Sequence, residues 1–135
     1  MKINQIEDFD LKSLRELYDA VGWKTYTKDI WKFQIMFKHS LCVLGAFHDN
    51  RLIGVIRTVG DHAHILYIQD ILVHPDFQRQ GVASALMDEL MARFDVRQMV
   101  LITDQNDQAS NAFYLKYGFK KSSDMLINCY LKIKP

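Results

Sequence analysis

The spacing of hydrophobic positions changes several times along this chain, and each change marks an element. Leu11, Leu14, Leu17, Tyr18 and Val21 recur at helical spacing, which predicts a helix with one buried face. Asp10 stands where a side chain can cap that helix, and Gly22 where a left-handed residue can end it. Ile30, Phe33 and Phe37 predict a second helix, capped by Thr27. Ser40 to His48 and Arg51 to Val59 then read as strands, joined by a tight turn at Asp49-Asn50. Gly60-Asp61 turns the chain again, and His64 to Val73 is the next strand, stopped by Pro75. Val82, Leu86, Leu90 and Phe94, with Met87 and Met91, share one helical face. Arg97 to Thr103 is nearly continuous in apolar character, as a central strand would be. Asp107 caps a helix that Gly118 ends, and Ile127, Cys129, Leu131 and Ile133 alternate with polar residues like a strand with one buried face. Met1 to Gln5 adds a short first strand.

Hairpins thus come first and a strand–helix–strand crossover follows, an α+β arrangement around a mixed sheet. The length of 135 residues suits a single domain covering 1–135. Lys+Arg 17 against Asp+Glu 16 leaves a net charge of +1, so there is no basic field for nucleic acid, and no nucleic-acid partner is expected. No apolar run reaches membrane-spanning length and the start lacks a signal-peptide core, which makes a cytoplasmic protein with no membrane partner the expectation. Cys42 and Cys129 lie in apolar runs and read as buried free thiols. No His/Cys/Asp arrangement has metal-ligand spacing, so no metal is expected.

The segment from Ile71 to Met87 carries the chemistry. An apolar strand ends at Pro75, a loop with Gln78, Gln80 and Gly81 follows, and a helix starts at once. Free N–H groups and a helix N-terminus beyond a strand end attract a phosphate or pyrophosphate. The spacing Gln78-x-x-Gly81-x-Ala83, after Val73-His74-Pro75, resembles the acyl-coenzyme A signature of the GNAT superfamily of N-acetyltransferases. Downstream, Asn106 through Phe113-Tyr114 to Gly118-Phe119 resembles that family's later motif. The two motifs in this order make the resemblance specific, and the order of elements extends it along nearly the whole chain.

The resemblance implies a GNAT fold. Its sheet is mixed, mostly antiparallel and splayed at its middle, flanked by about four helices. It also implies acetyl-CoA as cosubstrate, bound in the opening beside Leu72 and Val73, with the pyrophosphate on the N–H groups of the Gln78–Ser84 loop. Gln78, Arg79, Gln80, Gly81, Val82, Ala83 and Ser84 are the loop's candidates, and Asn106 and Phe113 those of the later motif, with Asn111 a competing alignment for Asn106. Tyr114 takes the position of the family's tyrosine that protonates the departing thiolate.

Asp70, set in an apolar strand, is the candidate general base; it reads equally as a structural acceptor or as a partner for an arginine such as Arg57. His62, His64, His74 and water are alternatives. Trp23 and Tyr26 between the first two helices, with Arg57 and Asp61, are candidates for the acceptor pocket. The expected reaction is direct acetyl transfer to a primary amine, of a small molecule in the first reading and of a protein lysine or N-terminus in the second. A non-catalytic acyl-CoA sensor is the reading from outside enzymology. An aminoacyl-tRNA acceptor finds no support in the balanced charge. Relatives that pair through sheet edges or C-terminal strands make a homodimer part of the expectation.

Overall fold

The computed structural model describes residues 1–135, which divide into two compact units, Met1–Leu101 and Ile102–Pro135. The first unit holds a five-stranded sheet in sequential order, formed by β1 (Lys2–Gln5), β2 (Cys42–His48), β3 (Arg51–Gly60), β4 (Ile65–Val73) and β5 (Gln98–Leu101). The pairs β1–β2, β2–β3 and β3–β4 are antiparallel and β4–β5 is parallel. Three helices, α1 (Leu11–Ala20), α2 (Lys24–Thr27) and α3 (Ile30–Lys38), precede β2, and α4 (Val82–Arg93) connects β4 to β5. The second unit contains α5 (Gln108–Lys116) and a 3₁₀ turn at Ser122–Met125. The α+β class and the mixed, mostly antiparallel sheet follow the expectation, with five helices where about four were expected.

Local chemistry explains the helix ends. The Asp10 carboxylate accepts from the N–H groups of Lys12 and Ser13 and from the Ser13 hydroxyl at 2.8 Å. Gly22, at φ +81°, lets the Trp23 N–H return to the Tyr18 carbonyl at 3.0 Å, which closes α1. The second helical pattern resolves into two pieces: α2 is a single turn, and α3 is capped by Asp29, not Thr27. Thr27 is instead buried, with its hydroxyl on the Asp19 carboxylate at 2.5 Å, which ties α2 to α1.

Alternation along the strands builds a core on each face of the sheet. Val43, Val55 and Leu72 pack with Leu14, Leu17, Tyr18, Phe33 and Phe37 from α1 and α3. Gly54, one residue from Val55 and so on the opposite face, lies under Val82 and Leu86 of α4. A Cβ at Gly54 would stand 2.9 Å from the Val82 side chain, so this glycine allows the start of α4 to seat closely on β3.

The parallel β4–β5 ladder runs only from Ile65↔Gln98 to Ile68↔Leu101. Gln69–Val73 continue β4 with no β5 partner beside them, which is the expected splay.

Three expectations need correction. The Arg97–Thr103 run gives a short strand at the sheet edge, not at its centre, because it pairs with β4 alone. The alternating Ile127–Ile133 segment forms no strand, and Tyr130 and Ile133 are 90% and 79% exposed. Alternation states which face a strand would bury, but a strand forms only where a ladder partner exists. Cys42 is buried as expected, whereas Cys129, in that same segment, is exposed.

Candidate active site

At the end of β4 the chain makes a braced loop. The His74 N–H donates to the Ile53 carbonyl at 2.8 Å, and His74 Nδ1 accepts from the Asp76 N–H at 3.1 Å, which caps the 3₁₀ turn Pro75–Phe77. The Gln78 amide donates back to the Val73 carbonyl at 3.1 Å and the Gln80 amide to the Asp76 carbonyl at 3.2 Å. Two left-handed residues then turn the backbone into α4: Arg79 at φ +61° and Gly81 at φ +83°. A Cβ at Gly81 would meet nothing within 4 Å, so the glycine answers the backbone angle and not crowding. No side chain caps α4, whose N-terminus opens on this turn. An uncapped helix N-terminus after a tight turn suits an anion. Leu72 is buried against the α1–α3 core, and Val73 is half-buried at the end of the strand.

A second cluster lies on the α1–α3 face of the sheet. Arg57 on β3 and Asp70 on β4 are cross-strand partners, and both are buried. Arg57 Nε donates to Asp70 Oδ2 at 2.6 Å, and the Tyr18 hydroxyl donates to the same oxygen at 2.9 Å. The Tyr26 hydroxyl donates to Oδ1 at 2.8 Å. Arg57 Nη1 reaches the Ser40 hydroxyl at 3.3 Å, and the guanidinium lies 5.7 Å from the centre of the Tyr26 ring. Of the readings open for Asp70, the geometry presents the arginine partner. Arg57 thus spends its charge inside the fold and does not hold it out toward an acceptor. Burial, and then the Asp70 charge, push the Tyr18 phenol well above its ordinary range and raise that of Tyr26.

Sequence reading missed Gln69 as a member of this cluster. The β3–β4 register runs Arg57↔Asp70 and then Thr58↔Ile68, so Gln69 is the extra residue of a β-bulge. Its amide donates to the Tyr26 hydroxyl at 3.1 Å. A polar residue beside Asp70 in an apolar strand was the available signal. Trp23, 37% exposed, lies 6.4 Å from Tyr26 between ring centres.

The histidines have structural surroundings. His74 caps the 3₁₀ turn, His62 stands edge-on to Phe94 at 5.0 Å, and His64 belongs to a turn whose N–H groups bond Asp61. Asp61 accepts from Ala63, His64 and Ile65, and these backbone bonds pull its carboxyl down to about 2.

In the second unit, Asp107 caps α5 through the Ser110 N–H at 3.1 Å. The Asn111 amide donates to the carbonyls of Asp104 and Asp107, so it fastens the loop before α5. The exposed Asn106 contributes its N–H to the Asp104 carboxylate at 2.8 Å. Tyr114 is half-buried between Phe113 and Phe119, with ring centres at 5.5 and 6.1 Å. Burial, and then the Asp107 charge, push its phenol up to about 12, so it keeps its proton at neutral pH.

The model of the acetyltransferase (GNAT) family matches residues 6–119. The chain belongs to this family. It is thereby a GNAT-type N-acetyltransferase. A GNAT-family acetyltransferase structure from Streptococcus pneumoniae superposes with a TM-score of 0.85 at 31% identity, covering 98% of this chain and 97% of that one. An uncharacterised N-acetyltransferase of Porphyra purpurea is 29% identical over 126 residues, 90% of this chain and 71% of that protein. The aminoglycoside N-acetyltransferase AAC(6')-Iy, solved in complex with CoA, shares the fold with a TM-score of 0.71 at 18% identity, covering 99% of each chain. No helix of this protein is long and apolar enough to cross a membrane.

Proposed function

We propose that this acetyltransferase moves an acetyl group from acetyl-CoA to a primary amine of a small molecule, by direct attack within a ternary complex. The observation that carries the cosubstrate is the turn from Gln78 to Ser84. Its left-handed Arg79 and Gly81 lead straight into a helix N-terminus that no side chain caps. Pyrophosphate takes that position, and the strand end at Leu72 and Val73 offers backbone groups to the pantetheine arm where the parallel ladder has already stopped. Asn106 and Phe113 serve the same cosubstrate in this reading, as the motif they belong to does in the family.

The acceptor nitrogen, freed of its ammonium proton, attacks the thioester carbonyl. The carbon–sulfur bond breaks as the carbon–nitrogen bond forms, and the nitrogen releases one further proton. The thiolate takes up one proton, from Tyr114 in this reading, since the phenol holds its proton at neutral pH. A histidine or water receives the proton from nitrogen in this reading, because Asp70 is buried and its oxygens already accept from Arg57, Tyr18 and Tyr26. The half-exposed ring pair of Trp23 and Tyr26 supports a small amine as acceptor, and the fold-sharing aminoglycoside enzyme supports the same class. The exposed alternating strip Ile127–Ile133 supports a homodimer, because such a strip gains its ladder from a second copy.

The test is calorimetric titration with acetyl-CoA, joined to a thiol-release screen over polyamines, amino acids, aminoglycosides and lysine peptides. Binding with amine-dependent release supports the proposal. Release with lysine peptides alone moves the acceptor to protein. Binding without release points to a sensor, and no binding removes the cosubstrate reading.

A further inference from the structure

We infer that Tyr26 is the side chain that meets the acceptor amine, and that Asp70 and Gln69 act on the reaction only through the Tyr26 hydroxyl. The inference rests on the acetyltransfer reading and deepens it at the acceptor side.

Asp70 is 2% exposed, and its two oxygens accept from Arg57, Tyr18 and Tyr26. An amine has no route to it. Each of these donors also occupies a carboxylate lone pair that an incoming amine would need. Tyr26 is half-buried and stands between this carboxylate and the outside of the fold. A phenol has one O–H to donate and oxygen lone pairs to accept. Tyr26 donates its proton to Asp70 and accepts from Gln69. What remains at that oxygen is acceptor capacity alone.

Such an oxygen binds an N–H and repels a nitrogen lone pair. An amine seated there donates N–H to Tyr26 and keeps its own lone pair for the acyl carbon. The carboxylate that accepts the Tyr26 proton also raises electron density at the phenol oxygen, so the contact strengthens. Burial and the Asp70 charge hold the phenol protonated, which preserves this polarity at working pH. The bulge has a purpose in this scheme. It takes Gln69 out of the ladder and turns its amide onto Tyr26, fixing the hydroxyl from the second side. Thr27, bonded to Asp19, anchors the turn of α2 that carries Tyr26.

Steady-state kinetics of Tyr26→Phe, Gln69→Leu and Asp70→Asn test this, with an amine that the wild type acetylates. Acetyl-CoA binding by calorimetry serves as the check on folding. Tyr26→Phe is expected to lower kcat/KM for the amine about 100-fold and Gln69→Leu about tenfold, with acetyl-CoA affinity unchanged. In the Tyr26→Phe background, Gln69→Leu is expected to add nothing, because its target is gone. Asp70→Asn lowers kcat/KM but keeps the acid limb of the pH–rate profile. Loss of that limb would make Asp70 the base itself and overturn the inference. Independent, multiplying effects of Tyr26→Phe and Gln69→Leu would overturn it as well, as would wild-type amine kinetics in Tyr26→Phe. If the wild type binds acetyl-CoA yet releases no thiol with any amine, the acetyltransfer reading fails first and this inference falls with it.

Discussion

Arg57 and Asp70 face each other across β3 and β4, with the guanidinium Nε 2.6 Å from the carboxylate Oδ2. Their side chains are 7% and 2% exposed, so solvent screens the pair little. Removing one partner leaves a buried charge without compensation, which costs about 3 kcal/mol or more. Arg57→Met is therefore expected to lower the urea midpoint by that equivalent. Adding Asp70→Asn is expected to recover part of the loss, since the charge goes while one of Tyr18 and Tyr26, which donate to different oxygens of Asp70, keeps an oxygen acceptor. Urea unfolding of the wild type, the single and the double variant measures both steps.

The phenols predict alkaline behaviour. Burial raises Tyr18 and Tyr26 above 10 and Tyr114 to about 12, and burial also raises the Cys42 thiol above 9. An unfolded chain gives up these protons first, near their ordinary values. The folded state then holds more protons, and stability falls as pH rises. The contribution is fully present below about pH 9 and declines from there through pH 12. Urea midpoints between pH 7 and 11 are expected to stay level and then drop. Tyrosinate absorbance of the folded chain is expected to leave Tyr114 largely untitrated at about pH 10.5 and to place Tyr18 and Tyr26 above the ordinary tyrosine range. A level midpoint through pH 11 would contradict the burial of these groups.

Local signals made most of the first unit readable. Asp10, Gly22, Asp107 and Gly118 mark helix ends by short-range bonding, and Pro75 and Gly81 mark the loop by backbone geometry. The Gln78–Ser84 loop was legible for that reason: its turn is made by backbone, and the backbone is written in a few residue types. The Asp70 cluster was legible only in part. Arg57 was among the partners open to Asp70, but Tyr18 and Tyr26 lie on α1 and α2, far from it in sequence, and which strand residues stand opposite depends on a bulge that no local pattern announces. Gln69 stands out in sequence as a polar neighbour of Asp70, but its contact with Tyr26 follows from that register. The Ile127–Ile133 segment failed for the converse reason, since its alternation is real but no strand of the sheet pairs with it.

That segment supplies a prediction of its own. Ile127, Leu131 and Ile133 are 57%, 58% and 79% exposed, so deleting 127–135 removes little buried surface. The shortened chain is expected to keep its thermal midpoint and its acetyl-CoA affinity. Sedimentation equilibrium is expected to find the full chain dimeric and the shortened one monomeric. A full chain that sediments as a monomer at every concentration run would remove the dimer proposal.

Arg79 tests how the loop would hold the pyrophosphate of the proposed cosubstrate. A non-glycine residue at φ +61° carries strain of about 1 kcal/mol, which Arg79→Gly relieves while freeing the unfolded chain by a similar amount. Stability is therefore expected to change little. If the guanidinium contacts a phosphate, its loss raises KM for acetyl-CoA about tenfold, the equivalent of one charge-assisted bond. The expected outcome is this rise in KM with kcat intact and an unchanged thermal midpoint. A KM that does not move assigns the anion to the backbone and the helix N-terminus alone.

In the proposed reaction Tyr114 acts on the leaving thiolate and not on the amine. With its phenol pushed up to about 12, the group is protonated at every pH at which the enzyme works. It can donate to a thiolate, but it cannot serve as a base for the amine. Tyr114→Phe is expected to lower kcat about 100-fold, in the range of a general acid, and to leave both KM values close to wild type. The wild-type kcat is expected to show no alkaline fall from this group below about pH 11, because loss of its proton begins only near its raised value. The separation can be read from the leaving group. An acetyl thioester of a more acidic thiol needs less protonation, so it is expected to restore part of the Tyr114→Phe rate while doing little for Tyr26→Phe. Equal response of the two variants to the thiol would place both tyrosines on the same side of the transfer.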